Sequence, residues 1–81
     1  MIVEITQEDI DQGIKGECSK CPLALALKRV FPIDEVGVYY FTFSVGRKHH
    51  NLSDEAMMFV RNFDESKKLV QPQTLKVTDV S

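Results

Sequence analysis

The sequence predicts an α+β fold: a small, mainly antiparallel sheet with two amphipathic helices and one short N-terminal helix packed on one face. Two segments repeat apolar residues at helical spacing, and several others alternate apolar with polar residues or are rich in β-branched and aromatic ones. Glycine, proline or clustered polar residues separate these segments at four breaks, namely 13–16, 32–35, 46–48 and 64–72.

The first predicted elements are a strand and a short helix. Over Ile2–Ile5, alternation puts Val3 and Ile5 on one face, as in a half-buried strand. Thr6 is then expected to cap a helix that ends near Gly13, because its hydroxyl can accept a backbone hydrogen bond and acidic residues follow in the first turn. The apolar face of this helix is narrow, so we expect it to lie on the surface with few contacts.

The segment 22–31 is predicted to be the central helix of the core. Pro22 suits its first turn, where the missing N–H costs no hydrogen bond, and Pro32 ends it. Its apolar residues recur at helical spacing and give a wide buried face, which consists of Leu23, Ala26, Leu27, Val30 and Phe31.

A second amphipathic helix is predicted after Ser53, which caps it, and is expected to end at about Asp64. Its apolar face consists of Ala56, Phe59, Val60 and Phe63. Met57 and Met58 occupy successive helical positions, so they cannot both face the core. The exposed methionine would help a partner or a second copy of the chain to pack, and a homodimer is therefore one expectation.

The segment 36–45 is predicted to be one long strand with a bend at Gly37, because it is rich in β-branched and aromatic residues. Residues 46–48 then predict a hairpin turn, and 49–52 is expected to return as an antiparallel strand. At a period of two, the face of the long strand that enters the core would consist of Tyr39, Phe41, Phe43 and Val45.

A last strand is predicted over 75–80, with Leu75 and Val77 on one face. The 81 residues are expected to form a single compact domain, 1–81, with a thin core. No apolar run approaches the roughly 20 residues that a membrane span needs. The first residues also lack the basic and apolar regions of a secretion signal, so we expect a cytoplasmic protein with no membrane partner.

The charge balance argues against a general nucleic-acid binder. With 12 acidic and 10 basic residues, the chain has a formal net charge of −2. General nucleic-acid binders instead have a positive excess that neutralises phosphates. The charges are unevenly spread, since 1–20 is mainly acidic and 28–50 mainly basic, a distribution typical of solvated faces.

The most suggestive motif is C-S-K-C, which runs from Cys18 to Cys21. Two cysteines at this spacing can share a zinc ion with His50 or its neighbour, although a structural site needs a fourth ligand. The same cysteines would suit a redox protein if the following helix lowered the pKa of a thiol. The interpretation we favour needs no cofactor: Cys21 caps the helix or is simply buried, and both thiols are reduced.

A basic and aromatic cluster is the second candidate site. It would clamp the phosphates of a small anionic ligand and stack its base, provided that the hairpin tip folds over the end of the first core helix. The alternative is that these cations keep a helix end and a hairpin soluble. The candidate ligand-binding residues are Arg29, Tyr39, Arg47, Lys48 and Arg61, with Tyr40 as a second stacking residue.

Two strings of the sequence form a longer pattern: C-S-K-C-P-L-A-L-A-L-K-R and, after the predicted hairpin, L-S-D-E-A-M-M-F-V-R-N-F-D. In its C-x-x-C-P-x-A-x-A helix, hairpin and F-V-R-x-F-D helix, the chain resembles a family of small uncharacterised proteins from bacteriophage and bacterial genomes. The resemblance covers most of the chain. It implies a small phage accessory protein that blocks or sequesters something belonging to the host, and it assigns no functional residues.

The sequence therefore predicts a binding protein with no enzymatic activity. None of the familiar catalytic motifs is complete, and most carboxylates fall in helix first turns, where capping accounts for them. The expected role is that of a phage or mobile-element accessory protein that binds or sequesters a host protein or a small anionic, nucleotide-like ligand. The alternative is a zinc-containing nucleic-acid-binding or regulatory module that uses the two cysteines.

Overall fold

The computed structural model describes residues 1–31 and 35–77 and confirms the α+β class. In chain order the elements are β1 (Ile2–Ile5), α1 (Gln7–Gln12), α2 (Pro22–Val30), β2 (Val36–Val38), β3 (Thr42–Val45), β4 (Lys48–Asn51), α3 (Asp54–Glu65), a 3₁₀ helix (Lys67–Leu69) and β5 (Gln73–Lys76). The last strand thus begins before residue 75, and the part of its predicted span over 78–80 lies outside the described residues.

The strands of the described residues divide between two antiparallel sheets, where the sequence predicted one. In the first sheet β1 pairs with β5, and Val3 lies opposite Leu75. In the second sheet β3 lies between β2 and β4, so that Phe43 is flanked by Val38 and His50. Helix α2 contacts both β1 and β2, and it therefore connects the two sheets.

Helix α2 lies at the centre of the hydrophobic core, as predicted. Its predicted buried face is wrong at Val30, the last residue of the helix, which lies beyond the edge of the core and is 46% exposed. Leu23 and Leu27 are fully buried, as are Phe43 of β3 and Phe63 of α3. Burial of each such side chain contributes roughly 1.5–3 kcal/mol to stability before entropy is counted. The predicted inward faces of the two terminal segments are also confirmed, since the buried residues there are Val3, Ile5, Leu75 and Val77.

The prediction of one continuous strand over 36–45 is wrong at its centre. The amide of Tyr39 donates a hydrogen bond of 2.8 Å to the carbonyl of Thr42, so the chain reverses across Tyr40 and Phe41. The segment therefore forms two strands, β2 and β3, which pair with each other. A tight reversal without glycine or proline leaves no familiar turn signal in the sequence.

This reversal also changes which aromatic residues enter the core. Tyr39 and Phe41 were predicted to be buried, but they are 43% and 70% exposed. Phe43 is fully buried, as predicted, and Val45 packs partly against the core. The predicted period of two also fails along β3, because the adjacent residues Phe43 and Ser44 are both buried although they point to opposite faces of the strand.

Helix α1 has the predicted cap but more contacts than predicted. The Thr6 hydroxyl accepts a hydrogen bond from the Asp9 amide at 3.2 Å, and the Asp9 carboxylate accepts one from the Thr6 amide at 2.9 Å. This reciprocal arrangement is a capping box. The expectation of few contacts is wrong, because Asp9 and Ile10 are buried and the helix packs against α2.

The predicted hairpin and second amphipathic helix are confirmed. Gly46 adopts a positive φ of 63° in the β3–β4 turn, a conformation that favours glycine. Ser53 caps α3 by accepting from the Ala56 amide at 3.2 Å. Met57 packs against the core whereas Met58 is 62% exposed. Within the described ranges, no helix is both long and apolar enough to cross a membrane.

Candidate binding cleft

Arg29, the first of the predicted ligand cations, is engaged in an ion pair. Its Nη1 donates to Oδ1 of Asp9, and its Nη2 donates to Oδ2 of Asp9 at 2.7 Å and to the carbonyl of Glu4 at 3.0 Å. The Asp9 side chain is only 4% exposed, whereas that of Arg29 is 49% exposed. The guanidinium group of Arg29 is therefore the partner of a buried carboxylate.

The ion pair shifts the pKa of both groups towards their charged forms. Burial raises the pKa of the Asp9 carboxyl, but the hydrogen bonds from Arg29 and Thr6 outweigh burial, and the pKa lies below its ordinary value of 3.8. The hydrogen bond to Asp9 raises the pKa of Arg29. Both side chains are thus charged at neutral pH, and their pairing holds α1 against α2.

The other predicted cations lie on separate elements. Arg47 is in the β3–β4 turn, Lys48 begins β4, and Arg61 is exposed on α3. Lys28, in the last turn of α2, donates from Nζ to the carbonyl of Ser19 at 2.8 Å. The cations of the predicted cluster are therefore spread over a helix end, a hairpin and a second helix.

Three consecutive aromatic side chains lie at the β2–β3 reversal and define a surface that we call the aromatic turn. Its members are Tyr39, Tyr40 and Phe41, and they are 43%, 67% and 70% exposed. The ring of Tyr39 lies 6.1 Å from that of His49, centroid to centroid, and the rings of Tyr40 and Phe41 lie 6.4 Å apart. Adjacent exposed aromatic residues of this kind are uncommon on a surface without a partner.

The backbone around the aromatic turn is hydrogen-bonded on both sides. The Val38 amide donates to the carbonyl of Cys18, and the Phe41 carbonyl accepts from the first residue after β4, each at 2.8 Å. The side chain of Tyr39 folds back over β2, since a Cβ on Gly37 would lie 2.8 Å from its hydroxyl oxygen. The three rings are therefore presented on a backbone that is held in place.

A cleft of about 180 Å³ opens between the aromatic turn, the loop that contains the C-x-x-C motif, and helix α3. We call it the aromatic cleft. Its lining includes two valines, two tyrosines and two carboxylates, namely Val38, Val60, Tyr39, Tyr40, Glu17 and Asp64. Asp64 Oδ1 lies 3.5 Å from the amide nitrogen of Gly16, which ties α3 to the loop. No lysine or arginine of the described residues lines this cleft.

A second cleft, of about 300 Å³, shares Tyr39 and Cys18 with the aromatic cleft and is lined also by Glu35. Tyr39 therefore lines two clefts, and the charged residues in both are acidic. Of the predicted ligand residues, only the two tyrosines, Tyr39 and Tyr40, line either cleft; the predicted cations that do not are Arg29, Arg47, Lys48 and Arg61. The predicted clamp around an anion is thus not formed at these clefts.

The two cysteines of the C-x-x-C motif are free, with Cys18 exposed and Cys21 buried. The Sγ of Cys21 accepts a hydrogen bond from the Ala24 amide at 3.4 Å, so this residue caps α2, as the sequence interpretation favoured. Burial raises the pKa of the Cys21 thiol to about 11. A redox role for this residue would require the opposite shift.

The predicted zinc ligands are also not gathered around one point. His50 packs on Phe43, with ring centroids 5.2 Å apart, and its Nε2 is buried without a hydrogen-bond partner. Cys21 is occupied in capping α2, and Cys18 lines the two clefts. Over residues 1–31 and 35–77, no group of three or more histidine, cysteine, aspartate or glutamate side chains is arranged to hold a metal ion.

Sequence reasoning identified Tyr39 and Tyr40 but missed the carboxylates beside them. Glu17 belongs to the loop before α2 and Asp64 to the last turn of α3, and only the fold brings them together. The sequence contains one indication that Asp64 lies near the apolar face of α3: it follows Val60 by four residues and so shares a helix face with it.

Comparison with known proteins identifies no matching family model, no matching curated protein and no matching solved structure. The resemblance to phage and bacterial proteins therefore stays a prediction. The aromatic turn and the cleft beside it are the features of the structure that indicate a function.

Proposed function

We propose that the protein acts by binding an exposed segment of a partner protein at the aromatic turn and the aromatic cleft. The supporting observation is that three consecutive exposed aromatic side chains lie on a hydrogen-bonded reversal at the edge of a cleft. Aromatic residues are enriched at the centres of protein interfaces, where they supply a large contact area for a small loss of conformational entropy.

The size of the cleft favours a protein side chain over a free nucleotide. Pockets for small organic ligands commonly measure about 300–1,000 Å³, whereas the aromatic cleft measures about 180 Å³. A cavity of about 150 Å³ is large enough for one benzene ring. The cleft therefore suits one side chain of a partner, while the aromatic turn contacts the residues on either side of it.

The charges beside the aromatic turn favour a protein partner over an anionic ligand. Glu17 and Asp64 line the aromatic cleft and Glu35 lines its neighbour, so a phosphate placed there would be repelled. Arg29, one of the four predicted ligand cations, is already paired with Asp9. Of the two partners expected from the sequence, the host protein is the better supported.

We extend the proposal to a biological setting. The C-x-x-C-P-x-A-x-A and F-V-R-x-F-D patterns support a phage or mobile-element accessory protein that sequesters a host protein by this surface. A cytoplasmic location belongs to the same proposal and agrees with two free thiols. The proposal assigns binding to the protein, and no catalytic step.

Peptide selection tests this function. A random display library would be selected on the immobilised protein, and the binding site of the enriched peptides mapped by their effect on backbone amide NMR signals. We expect shifts at residues 38–41, 60 and 64, and loss of binding in the double variant Tyr40→Ser/Phe41→Ser. The matched control is Leu69→Ser, because Leu69 is 54% exposed and does not line the cleft.

Three outcomes would overturn the proposed function. The first is a selection that enriches no peptide, and the second is a set of peptides that shift signals elsewhere. The third is a concentration-dependent dimer, seen by analytical ultracentrifugation, that Tyr40→Ser/Phe41→Ser abolishes and Leu69→Ser does not. That result would assign the aromatic turn to a second copy of the chain.

A further inference from the structure

We propose that the aromatic cleft binds a lysine or arginine side chain of the partner protein. This inference deepens the proposed function and rests on it. Its basis is the juxtaposition of two tyrosines, Tyr39 and Tyr40, with two carboxylates, Glu17 and Asp64, around one cleft of side-chain size. Three features of the cleft match a long basic side chain, namely an apolar wall, two aromatic rings and a negative charge.

The apolar wall of the cleft matches the aliphatic stem of such a side chain. Val38 of β2 and Val60 of α3 both line the cleft, and their side chains are only 4% and 6% exposed. Lysine and arginine bury their methylene groups along apolar surface of this kind while their charged ends stay near water. Acidic side chains have stems too short to do the same.

The two tyrosines match the cationic end. A lysine ammonium or an arginine guanidinium is attracted to the face of an aromatic ring, and arginine also stacks on it. Tyr39 and Tyr40 are consecutive in the chain and both line the cleft. The backbone of the aromatic turn is already hydrogen-bonded, so binding does not incur the entropy cost of ordering a loop.

The carboxylates supply the complementary charge. Asp64 is half-buried one helical turn after Val60, and Glu17 is exposed on the loop before α2. The 3.5 Å approach of Asp64 Oδ1 to the Gly16 amide places this carboxylate beside the loop that contains Glu17. Since no lysine or arginine of the described residues lines the cleft, a cation from outside the chain is the complementary occupant.

A titration with two matched peptides tests the inference. The first is a nine-residue glycine and serine peptide with one central arginine, and the second has citrulline, an uncharged isostere, in its place. We expect the arginine peptide to shift the methyl NMR signals of Val38 and Val60 in a saturable way. The citrulline peptide should bind at least about tenfold more weakly, because it lacks the charge-assisted hydrogen bonds.

Two charge-neutralising variants locate the effect. Asp64→Asn should weaken binding of the arginine peptide about tenfold and leave the citrulline peptide unchanged. Glu17→Gln, on an exposed loop where the substitution leaves folding intact, should weaken it in the same direction. Glu65→Gln is the control, because Glu65 is the next carboxylate on α3, is exposed, and does not line the cleft.

The outcomes separate this inference from the proposed function. Equal binding of the arginine and citrulline peptides at the cleft would overturn the basic-side-chain inference and leave peptide binding intact. An equal loss in Asp64→Asn and Glu65→Gln would also overturn it, because the effect would then follow net charge. If no peptide, including those enriched by selection, shifts the signals of Val38 and Val60, both proposals fail.

Discussion

Arg29 forms a bidentate ion pair with both carboxylate oxygens of Asp9, and this pair connects the last turn of α2 with the first turn of α1. The same guanidinium reaches the carbonyl of Glu4 in β1. Asp9 in turn accepts a hydrogen bond from the amide of its cap residue, Thr6. One exposed cation thus stabilises a buried carboxylate at the junction of three elements.

Removal of this cation should destabilise the fold. We expect Arg29→Met to lower the free energy of unfolding by about 2 kcal/mol, because it leaves the Asp9 carboxylate buried without its partner. Arg61→Met, at an exposed position on α3, should change it by less than about 0.5 kcal/mol. Urea denaturation followed by circular dichroism measures both, and equal losses would contradict the structural role of Arg29.

The ion pair should also make stability depend on acid pH. Because the folded pKa of Asp9 lies below 3.8, its contribution is present above that ordinary value and is lost as pH falls through the folded pKa. We expect the stability difference between the wild type and Asp9→Asn to be constant near neutral pH and to shrink below about pH 4. Urea midpoints measured as a function of pH would show this, and a difference independent of pH would argue against it.

The two thiols should differ sharply in reactivity. Cys18 is exposed, whereas Cys21 is buried, caps α2 and has a pKa raised to about 11. At mildly alkaline pH we expect one thiol per folded chain to react rapidly with a disulfide reagent, and both to react in urea. Cys18→Ser should remove the fast phase and Cys21→Ser should retain it. Two fast thiols in the folded wild type would be inconsistent with the buried cap.

Substitution of two phenylalanines that lie close together in the chain should change stability to very different extents. Phe41 is 70% exposed and Phe43 fully buried. Phe41→Leu should therefore change the free energy of unfolding by less than about 0.5 kcal/mol. Phe43→Leu should lower it by about 1–2 kcal/mol, since it changes shape and volume in a close-packed core. Denaturant titration distinguishes them, and a larger loss at Phe41 would mean that the β2–β3 reversal is wrong.

The end of α1 leaves no room for a side chain at Gly13. An added Cβ would lie 2.8 Å from Cδ of Pro22 and 2.9 Å from the carbonyl oxygen of Asp9. Because a proline ring and a helix carbonyl cannot easily move aside, Gly13→Ala should cost about 1–3 kcal/mol. Lys15→Ala, at an exposed neighbouring position, is the control. Melting temperatures report the difference, and an unchanged value for Gly13→Ala would contradict the contact.

Features that depend on near neighbours in the chain were predicted correctly. Thr6, Cys21 and Ser53 cap the three helices, and each cap hydrogen bond joins residues only three apart. The apolar face of α3 follows equally from helical spacing, and that of α2 does so except at Val30. These features could be predicted from the sequence because the residues that make each interaction lie about one helical turn apart.

The β2–β3 reversal shows where local pattern fails. Residues 39–41 have high strand propensity, so the sequence there predicts a strand through the position where the chain turns. The turn forms because Val38 and Phe43 pair across it and Phe43 fills the core. That pairing depends on contacts made by the folded chain, which the alternation does not encode.

By itself, the sequence determined the α+β class, the helix caps, the core helix and the presence of an aromatic segment, because these depend on side-chain type and short-range spacing. Only the tertiary structure decided that Arg29 is bound to Asp9, and that Tyr39 stands beside Asp64. Both relationships join residues far apart in the chain. Burial of the core brings these distant elements together. The strength of each contact depends on the packing and the local dielectric around it, which exist only in the folded chain.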